Sequence, residues 1–337
     1  MTTVVTGASG FLGSMLVQEL VNRGRTVRAV VGANSMPVTD LDVETVSADV
    51  RDLTRMRTVL DGADSVFHLS AIIALAGNRL NLLTEINVKG SQNVARAALA
   101  CGVQRYIHCS SIHAFDLKNQ KAVIDETSAR VGAHHALYDQ TKAAGEALAR
   151  NMVLEGLPAV VIHPSGVIGP GDHRPSRIGQ FLIDLTARKV PALVTGGFDW
   201  VDVRDVCASS IAAEESGRIG ESYILSGEWH SARDLAAFAQ EITGIPPPKV
   251  DIPLWLAKRI GPMGDAWGRL AHTEPRINSA ALEALGATQT ISHKKAREEL
   301  GHMPRPTRES VHDAYRWFEA TRMIRCPLHE PRDLSCD

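Results

Sequence analysis

The sequence predicts an α/β protein with a doubly wound parallel sheet, and three observations carry that expectation. Short β-branched runs alternate with longer helical patterns through the first half of the 337 residues. The strand runs are almost wholly apolar, as strands covered by helices on both faces must be. A glycine-rich turn, Thr6-Gly7-Ala8-Ser9-Gly10-Phe11-Leu12-Gly13, joins the first strand to the first helix.

Val4-Val5, Val27 to Val31, Thr45-Val46, Val66 to Leu69, Tyr106-Ile107 and Val160 to Ile162 read as strands. Helices fall between them, at Phe11 to Asn22, Leu53 to Leu60, Leu80 to Ala100 and Ala136 to Glu155. The rhythm changes after Pro164. Gly169-Pro170-Gly171-Asp172 signals a loop, and a helix is expected over Ile178 to Ala187. A strand and helix share Val201 to Glu215, and a short strand covers Tyr223 to Leu225. Beyond Ser231 the pattern is mostly helical, broken at Pro246-Pro247-Pro248, Pro253 and Pro262.

Composition excludes several classes. Hydrophobic residues make up 44% and charged residues 22%, ordinary proportions for a packed domain and wrong for a disordered chain or a rod. The net charge of −2 lacks the basic surface that nucleic-acid binding needs. No apolar run is long enough to span a membrane. Met1 leads straight into a strand, and the five scattered cysteines form no CxxC pair, so a reduced, cytoplasmic protein is expected. Cys326, His329 and Cys336 lack the fourth ligand of a structural zinc site, and no metal is expected.

The glycines of the first turn have separate uses. Gly7 permits the tight turn, Gly10 lets the backbone approach a pyrophosphate, and Gly13 lets the helix pack on the strand. The amides at the helix start then face the phosphates. Taken alone, the same residues suit a plain strand-to-helix turn. Further along, Tyr138 and Lys142 stand four apart on one helix face. An ammonium there favours the phenolate and lowers the tyrosine pKa from about 10. Tyr138 could then serve as general acid or base near neutral pH.

The GxxGxxG turn after a threonine and Tyr138-Asp139-Gln140-Thr141-Lys142, a YxxxK motif, resemble the short-chain dehydrogenase/reductase superfamily. The resemblance is to its extended branch, the NAD-dependent epimerase/dehydratase family. It is closest to the dihydroflavonol-reductase and 3β-hydroxysteroid-dehydrogenase side and runs through about Phe318. It implies a Rossmann-type dinucleotide-binding domain at 1–167, with a return segment near 201–226. A smaller, mostly helical substrate domain would comprise 168–200 and 227–324, with a tail at 325–337. It also implies a small-molecule substrate and homodimerisation through the two long helices.

Roles follow from the resemblance residue by residue. Tyr138 transfers the proton, Lys142 holds the nicotinamide ribose, and Ser111 of Cys109-Ser110-Ser111 polarises the substrate oxygen, with Ser110 facing the cofactor. Asn87 of Asn87-Val88-Lys89-Gly90-Ser91 holds its helix open and supports the site. Gly7, Ser9, Gly10, Phe11 and Leu12 cradle the cofactor. Asp49 and Val50 of Ala48-Asp49-Val50-Arg51-Asp52 meet the adenine. The backbone of Leu69, Ser70 and Ala71 lines the site, and Pro164 and Val167 lie near the nicotinamide. His113 is a candidate substrate contact, although a packed histidine explains it equally well. Gly166 stands where many nucleotide-sugar enzymes carry a substrate-binding Asn.

At the end of the second strand an acidic residue would select NAD and an arginine NADP. Val31 and Gly32 occupy those positions. The missing carboxylate, with Asn34 and Ser35 nearby as donors, favours NADP(H) over NAD(H). Arg28 should point to the other face of the strand. The function expected is hydride transfer between nicotinamide and a carbonyl or secondary alcohol. The alternatives are an NAD-dependent nucleotide-sugar epimerase and a non-catalytic NADP(H)-binding regulator. Arg174 could meet an anionic substrate or stand in solvent. The apolar stretch from Ile252 through Trp267 to Leu270 reads as core, substrate lid or membrane-surface contact.

Overall fold

The computed structural model describes residues 1–33, 41–73, 80–118, 123–259, 282–283, 285–286, 290–326 and 328–329. Seven parallel strands form the central sheet. They are β1 (Thr2–Thr6), β2 (Thr26–Val31), β3 (Glu44–Ser47), β4 (Ser65–His68), β5 (Arg105–Cys109), β6 (Ala159–Pro164) and β10 (Ser222–Leu225). Their order across the sheet is β10-β6-β5-β4-β1-β2-β3. The order reverses between β1 and β4, and such a sheet binds its ligand in the crevice beyond the strand ends at that point.

Helices cover both faces. α1 (Phe11–Asn22) and α7 (Val203–Ser216) bury Leu16, Leu20, Val206 and Ile211 against Val5, Ala29 and Ile162 on one side. α2 (Leu53–Leu60), α4 (Ser91–Ala100) and α5 (Leu137–Leu154) bury Met56, Val94, Ala98 and Met152 against Val4, Val30, Val66 and Tyr106 on the other. Burying these strands twice over explains why they read as continuous apolar runs rather than alternating ones.

The expected helix over Leu80 to Ala100 is continuous but not uniform. α3 (Leu80–Leu83) passes through a π-helical stretch (Thr84–Gly90) into α4. One wide turn of this kind inside a helix is a recurrent feature of functional sites. Asn87 lies within it.

The C-terminal part centres on its own apolar cluster, in which α6 (Arg177–Thr186), α8 (Ala232–Thr243) and α10 (Thr307–Ala320) bury Leu182, Leu235, Ile242, Tyr315 and Phe318. Alongside the helices it carries two small sheets, of which the sequence pattern announces only the strand that reaches Val201. The first orders β11 (Glu228–Ser231), β9 (Gly197–Asp202) and β7 (Gly166–Ile168), and the second pairs β12 (Asp251–Ile252) with β8 (Leu193–Val194). The other four strands are two to four residues long, too short for periodicity to register. α9 (Lys294–Leu300) returns to the large sheet through Ala296 and Leu300. Among the described residues no helix is long and apolar enough to cross a membrane.

Candidate active site

A cavity of about 470 Å³ opens beyond the carboxyl ends of β1, β2 and β4. Gly7, Ser9, Gly10 and Phe11 line it from the first turn, and Val31, Gly32 and Ala33 from the end of β2. Asp49, Val50, Leu69, Ser70, Ala71 and Ile72 complete its inner wall. Gly171, His173 and Arg174 approach from the loop after β7.

The turn leaves no room for side chains. Gly7 has φ +74°, and a Cβ there would lie 2.8 Å from the Ser70 nitrogen. A Cβ at Gly13 would lie 2.1 Å from the Gly7 oxygen. Gly10, the N-cap of α1, offers no side chain to its first amides. Those orphan donors and the helix dipole face the cavity, a fit for a dinucleotide diphosphate. Arg28 lies on the opposite face of β2, where it bonds Glu44 and the main-chain oxygens of Val59 and Asp61. The Asp49 carboxylate is held by Arg51, whose hydrogen bonds keep it below the usual carboxylate range. Asn34 and Ser35 lie outside the described residues.

Four of the expected cofactor contacts, like Tyr138 and Lys142, are not among the residues that line this cavity. The Ser110 hydroxyl donates to the buried Glu146 Oε2 at 3.3 Å, a charge-assisted bond. Leu12 packs against the apolar layer under α1. Pro164 is buried in the pairing of β6 with β10, and Val167 packs against the sheet core. None of these four lines the cavity.

Ser111, Tyr138, Lys142 and Asn87 come together at the carboxyl end of β5. The Ser111 hydroxyl stands close enough to the Tyr138 phenol to favour its ionised form, and Ser111 Oγ accepts the His113 amide at 3.2 Å. Asn87 Oδ1 accepts from the Ile72 amide at 2.9 Å, while its Nδ2 donates to the Ile72 oxygen and to Thr141 Oγ1. It therefore pins the π-helical stretch both to the cavity wall and to the α5 turn between Tyr138 and Lys142. No local pattern in the chain points to Ile72 or Thr141 as its partners.

One electrostatic expectation is corrected. Lys142 Nζ donates to the Cys109 oxygen at 2.8 Å, and Tyr138 is not brought below its ordinary value as expected. Burial among Leu83, Ile72 and Leu80 pushes the phenol well above its ordinary value. Burial likewise pulls the Lys142 ammonium down. Desolvation of a fully enclosed group outweighs a charge one helical turn away.

Behind the site, Glu146 gathers four partners. His163 Nε2 lies 2.8 Å away, Arg130 2.8 Å, Arg150 2.9 Å and Ser110 Oγ 3.3 Å. Burial alone would raise this carboxyl; the His163 and Arg130 interactions overcome it and hold the pKa far below the ordinary value. Glu146 follows Lys142 by one turn of α5; Arg150 is its neighbour one turn on, but Arg130, His163 and Ser110 are too distant in sequence to betray it.

An aromatic wall stands beside Tyr138. The His113 ring meets Tyr138 edge-on at 5.7 Å and stacks on Phe198 at 5.5 Å, and Phe198 meets Trp200 at 5.7 Å. His113 Nδ1 lies 3.1 Å from Asp139 Oδ1. A Cβ on Gly166 would lie 2.6 Å from Trp200 Cε3 and 2.9 Å from Phe198 Cδ1. The space a side chain at Gly166 would need is thus filled from outside by two rings. Among the described residues no group of three or more His, Cys, Asp or Glu could hold a metal ion. Cys336 and residues 260–270 of the apolar stretch lie outside them.

The fold and the glycine cradle define a dinucleotide-binding α/β protein. The chain belongs to the NAD dependent epimerase/dehydratase family, which it matches over residues 3–225, and within it to the extended short-chain dehydrogenase/reductases. It is 32% identical to sterol demethylase protein B of Methylococcus capsulatus over 96% of this chain and 100% of that protein. A putative dihydroflavonol 4-reductase of Synechocystis is 31% identical, over 94% of each chain. Among solved structures, that of gox2253 superposes with a TM-score of 0.83 at 32% identity, covering 95% of this chain and 98% of that one.

Proposed function

We propose that this protein is an NAD(P)-dependent reductase or dehydrogenase acting on a carbonyl or secondary alcohol of an apolar small molecule. The observation that carries the reading is the juxtaposed Ser111–Tyr138 pair, set one helical turn from Lys142 and flanked by an aromatic wall. A bound nicotinamide dinucleotide supplies or accepts the hydride. Gly7, Ser9, Gly10 and Phe11 would hold its diphosphate, and Asp49 and Val50 its adenine end.

Ser111 and Tyr138 together grip the reacting oxygen. In reduction Tyr138 Oη gives its proton to that oxygen as the alkoxide charge develops; in oxidation it takes the proton back. A phenol kept protonated by burial is in the correct form to act as the acid. Lys142, anchored on the Cys109 oxygen, brings a positive charge that stabilises the phenolate once formed and can reach the nicotinamide ribose. Asn87 keeps α5 at its distance from the cavity wall. His113, steadied by Asp139, and the Phe198 ring form the substrate-facing wall.

NADP(H) is favoured, since β2 ends in Val31, Gly32 and Ala33 with no carboxylate to repel a 2′-phosphate. The aromatic surface suits a polycyclic apolar substrate better than a sugar nucleotide, in keeping with the sterol and flavonol chemistry in the relatives' names. A homodimer paired through α4 and α5 belongs to the same reading.

The test begins with thermal unfolding in the presence of NAD, NADH, NADP and NADPH, followed by a screen of sterol, flavonoid and simple ketones with the dinucleotide that stabilises most. Oxidation of NADPH by an apolar ketone supports the proposal. Transient reduction of tightly held NAD by UDP-sugars, with no ketone reduced, would favour epimerisation instead.

A further inference from the structure

We infer that Arg174 closes over the cofactor as a clamp on its diphosphate, so that the loop after β7 reads the cofactor as well as framing the substrate side. The inference rests on the cofactor reading above. It starts from a charge imbalance. The dinucleotide's diphosphate carries two negative charges, and the first turn answers with backbone amides alone. Among the described residues that line the cavity, Arg174 is the one cation with a permanent charge. It is exposed and has no hydrogen bond or ion pair to any described residue. The other charged group in the lining, Asp49, is already neutralised by Arg51.

The loop that carries Arg174 is built to hold a fixed position. At Gly171, where φ is +92°, a Cβ would lie 2.2 Å from Met15 Sδ, so the backbone presses directly on α1, just past the cradle. Asp172 is buried and accepts the Ser176 amide at 2.7 Å, and Ser176 in turn caps α6 through Gly179. The His173 ring packs edge-on against Trp317 at 4.9 Å. Arg174 follows directly, on a segment braced against both α1 and α10. A guanidinium in that place can bridge two phosphate oxygens. The diphosphate of a nucleotide substrate offers the same chemistry. The cofactor is the occupant argued here, because this cavity is walled by Gly7, Ser9 and Gly10, while Ser111 and Tyr138 are not part of its lining.

The experiment measures equilibrium binding of NADH, NADPH, ADP-ribose, adenosine and UDP to wild type, Arg174→Ala and Arg174→Lys, by calorimetry or nicotinamide fluorescence. The expected result is a roughly tenfold or greater rise in Kd of Arg174→Ala for NADH, NADPH and ADP-ribose alike. Adenosine binding should stay within about twofold, Arg174→Lys should fall between, and the gap should narrow in high salt. Unchanged melting temperatures would show that folding is intact, as expected for an exposed side chain. Equal Kd values for NADH overturn the inference. So does a loss confined to NADPH, which would assign Arg174 to the 2′-phosphate, or one confined to UDP, which would assign it to substrate. If wild type binds no dinucleotide, the cofactor reading falls and this inference with it.

Discussion

Lys142 Nζ donates to the main-chain oxygen of Cys109, the residue two before Ser111. The bond ties α5 to the end of β5 and so fixes the spacing between the Tyr138 and Ser111 hydroxyls. The carbonyl dipole also partly offsets the burial that pulls the Lys142 ammonium's pKa down. The phenol and the ammonium are therefore prepared separately, one kept protonated by burial and the other held in reserve by a carbonyl.

Tyr138→Phe should keep dinucleotide affinity and lose turnover by about 10²–10⁴-fold, the usual worth of a positioned acid. Lys142→Met should lose turnover on a similar scale and bind the dinucleotide more weakly as well. Rapid-mixing measurement of a single hydride transfer separates the two effects. Full turnover in Tyr138→Phe would remove Tyr138 from the mechanism.

Gly166→Ala should destabilise the fold by about 1–3 kcal/mol, because its methyl group must displace Trp200 or Phe198 from a packed wall. Phe198 stacks on His113, so the loss should reach the substrate side and raise KM more than it lowers kcat. Urea unfolding and steady-state kinetics check both parts. An unchanged melting temperature would mean the two rings yield more easily than their packing implies.

Asn87→Ala should cost about 1–3 kcal/mol by leaving the Ile72 main chain without a partner. Asn87→Asp keeps the acceptor but loses the Nδ2 donor. It should therefore recover only part of the stability and little of the activity. Equal rates for wild type and both variants would reduce Asn87 to a local helix feature.

The legible parts of this protein were those with local causes. The glycine turn has its meaning within eight residues, and the YxxxK spacing lies on one helix, so both could be read and the structure brings their residues to one end of the sheet. The Ser110 hydrogen bond could not be read, because its acceptor Glu146 lies 36 residues away and has its pKa held down by His163 and Arg130. The acidity expected of Tyr138 failed for a related reason. Helical spacing reports which groups are near, whereas the pKa is decided by how much water the tertiary fold removes. The Gly166 wall depends on β9 arriving beside β7 from more than thirty residues downstream, a pairing that no local pattern reports.

Glu146→Gln should destabilise the protein at pH 7 by about 3–5 kcal/mol, since Arg130 and Arg150 lose their buried counter-charge. The pKa of Glu146 is depressed in the fold, so its contribution is present above the ordinary value of 4.5 and is lost as pH falls toward the folded value. The gap between wild type and variant should accordingly shrink in acid. A constant gap from pH 7 to pH 3 would show that packing, not charge, is what Glu146 provides.

Asp199 titrates in the opposite sense. It is buried in β9 next to Trp200, and its Oδ1 accepts the Gly227 amide at 2.8 Å. Burial pushes its pKa up from 3.8 to about 6. Below the lower value both folded and unfolded chains hold the proton, and Asp199 adds no pH dependence. Between the two values the folded chain keeps a proton that the unfolded chain has released, so stability falls as pH rises. Above about pH 6 the penalty levels off at roughly 3 kcal/mol, from the size of the shift. Asp199→Asn keeps the acceptor for Gly227 and removes the charge. The variant should therefore be more stable than wild type at pH 8, by on the order of 2–3 kcal/mol, and equal to it or weaker at pH 4. Urea titrations at both pH values measure this directly, and parallel stability curves across the range would mean that Asp199 stays ionised in the fold.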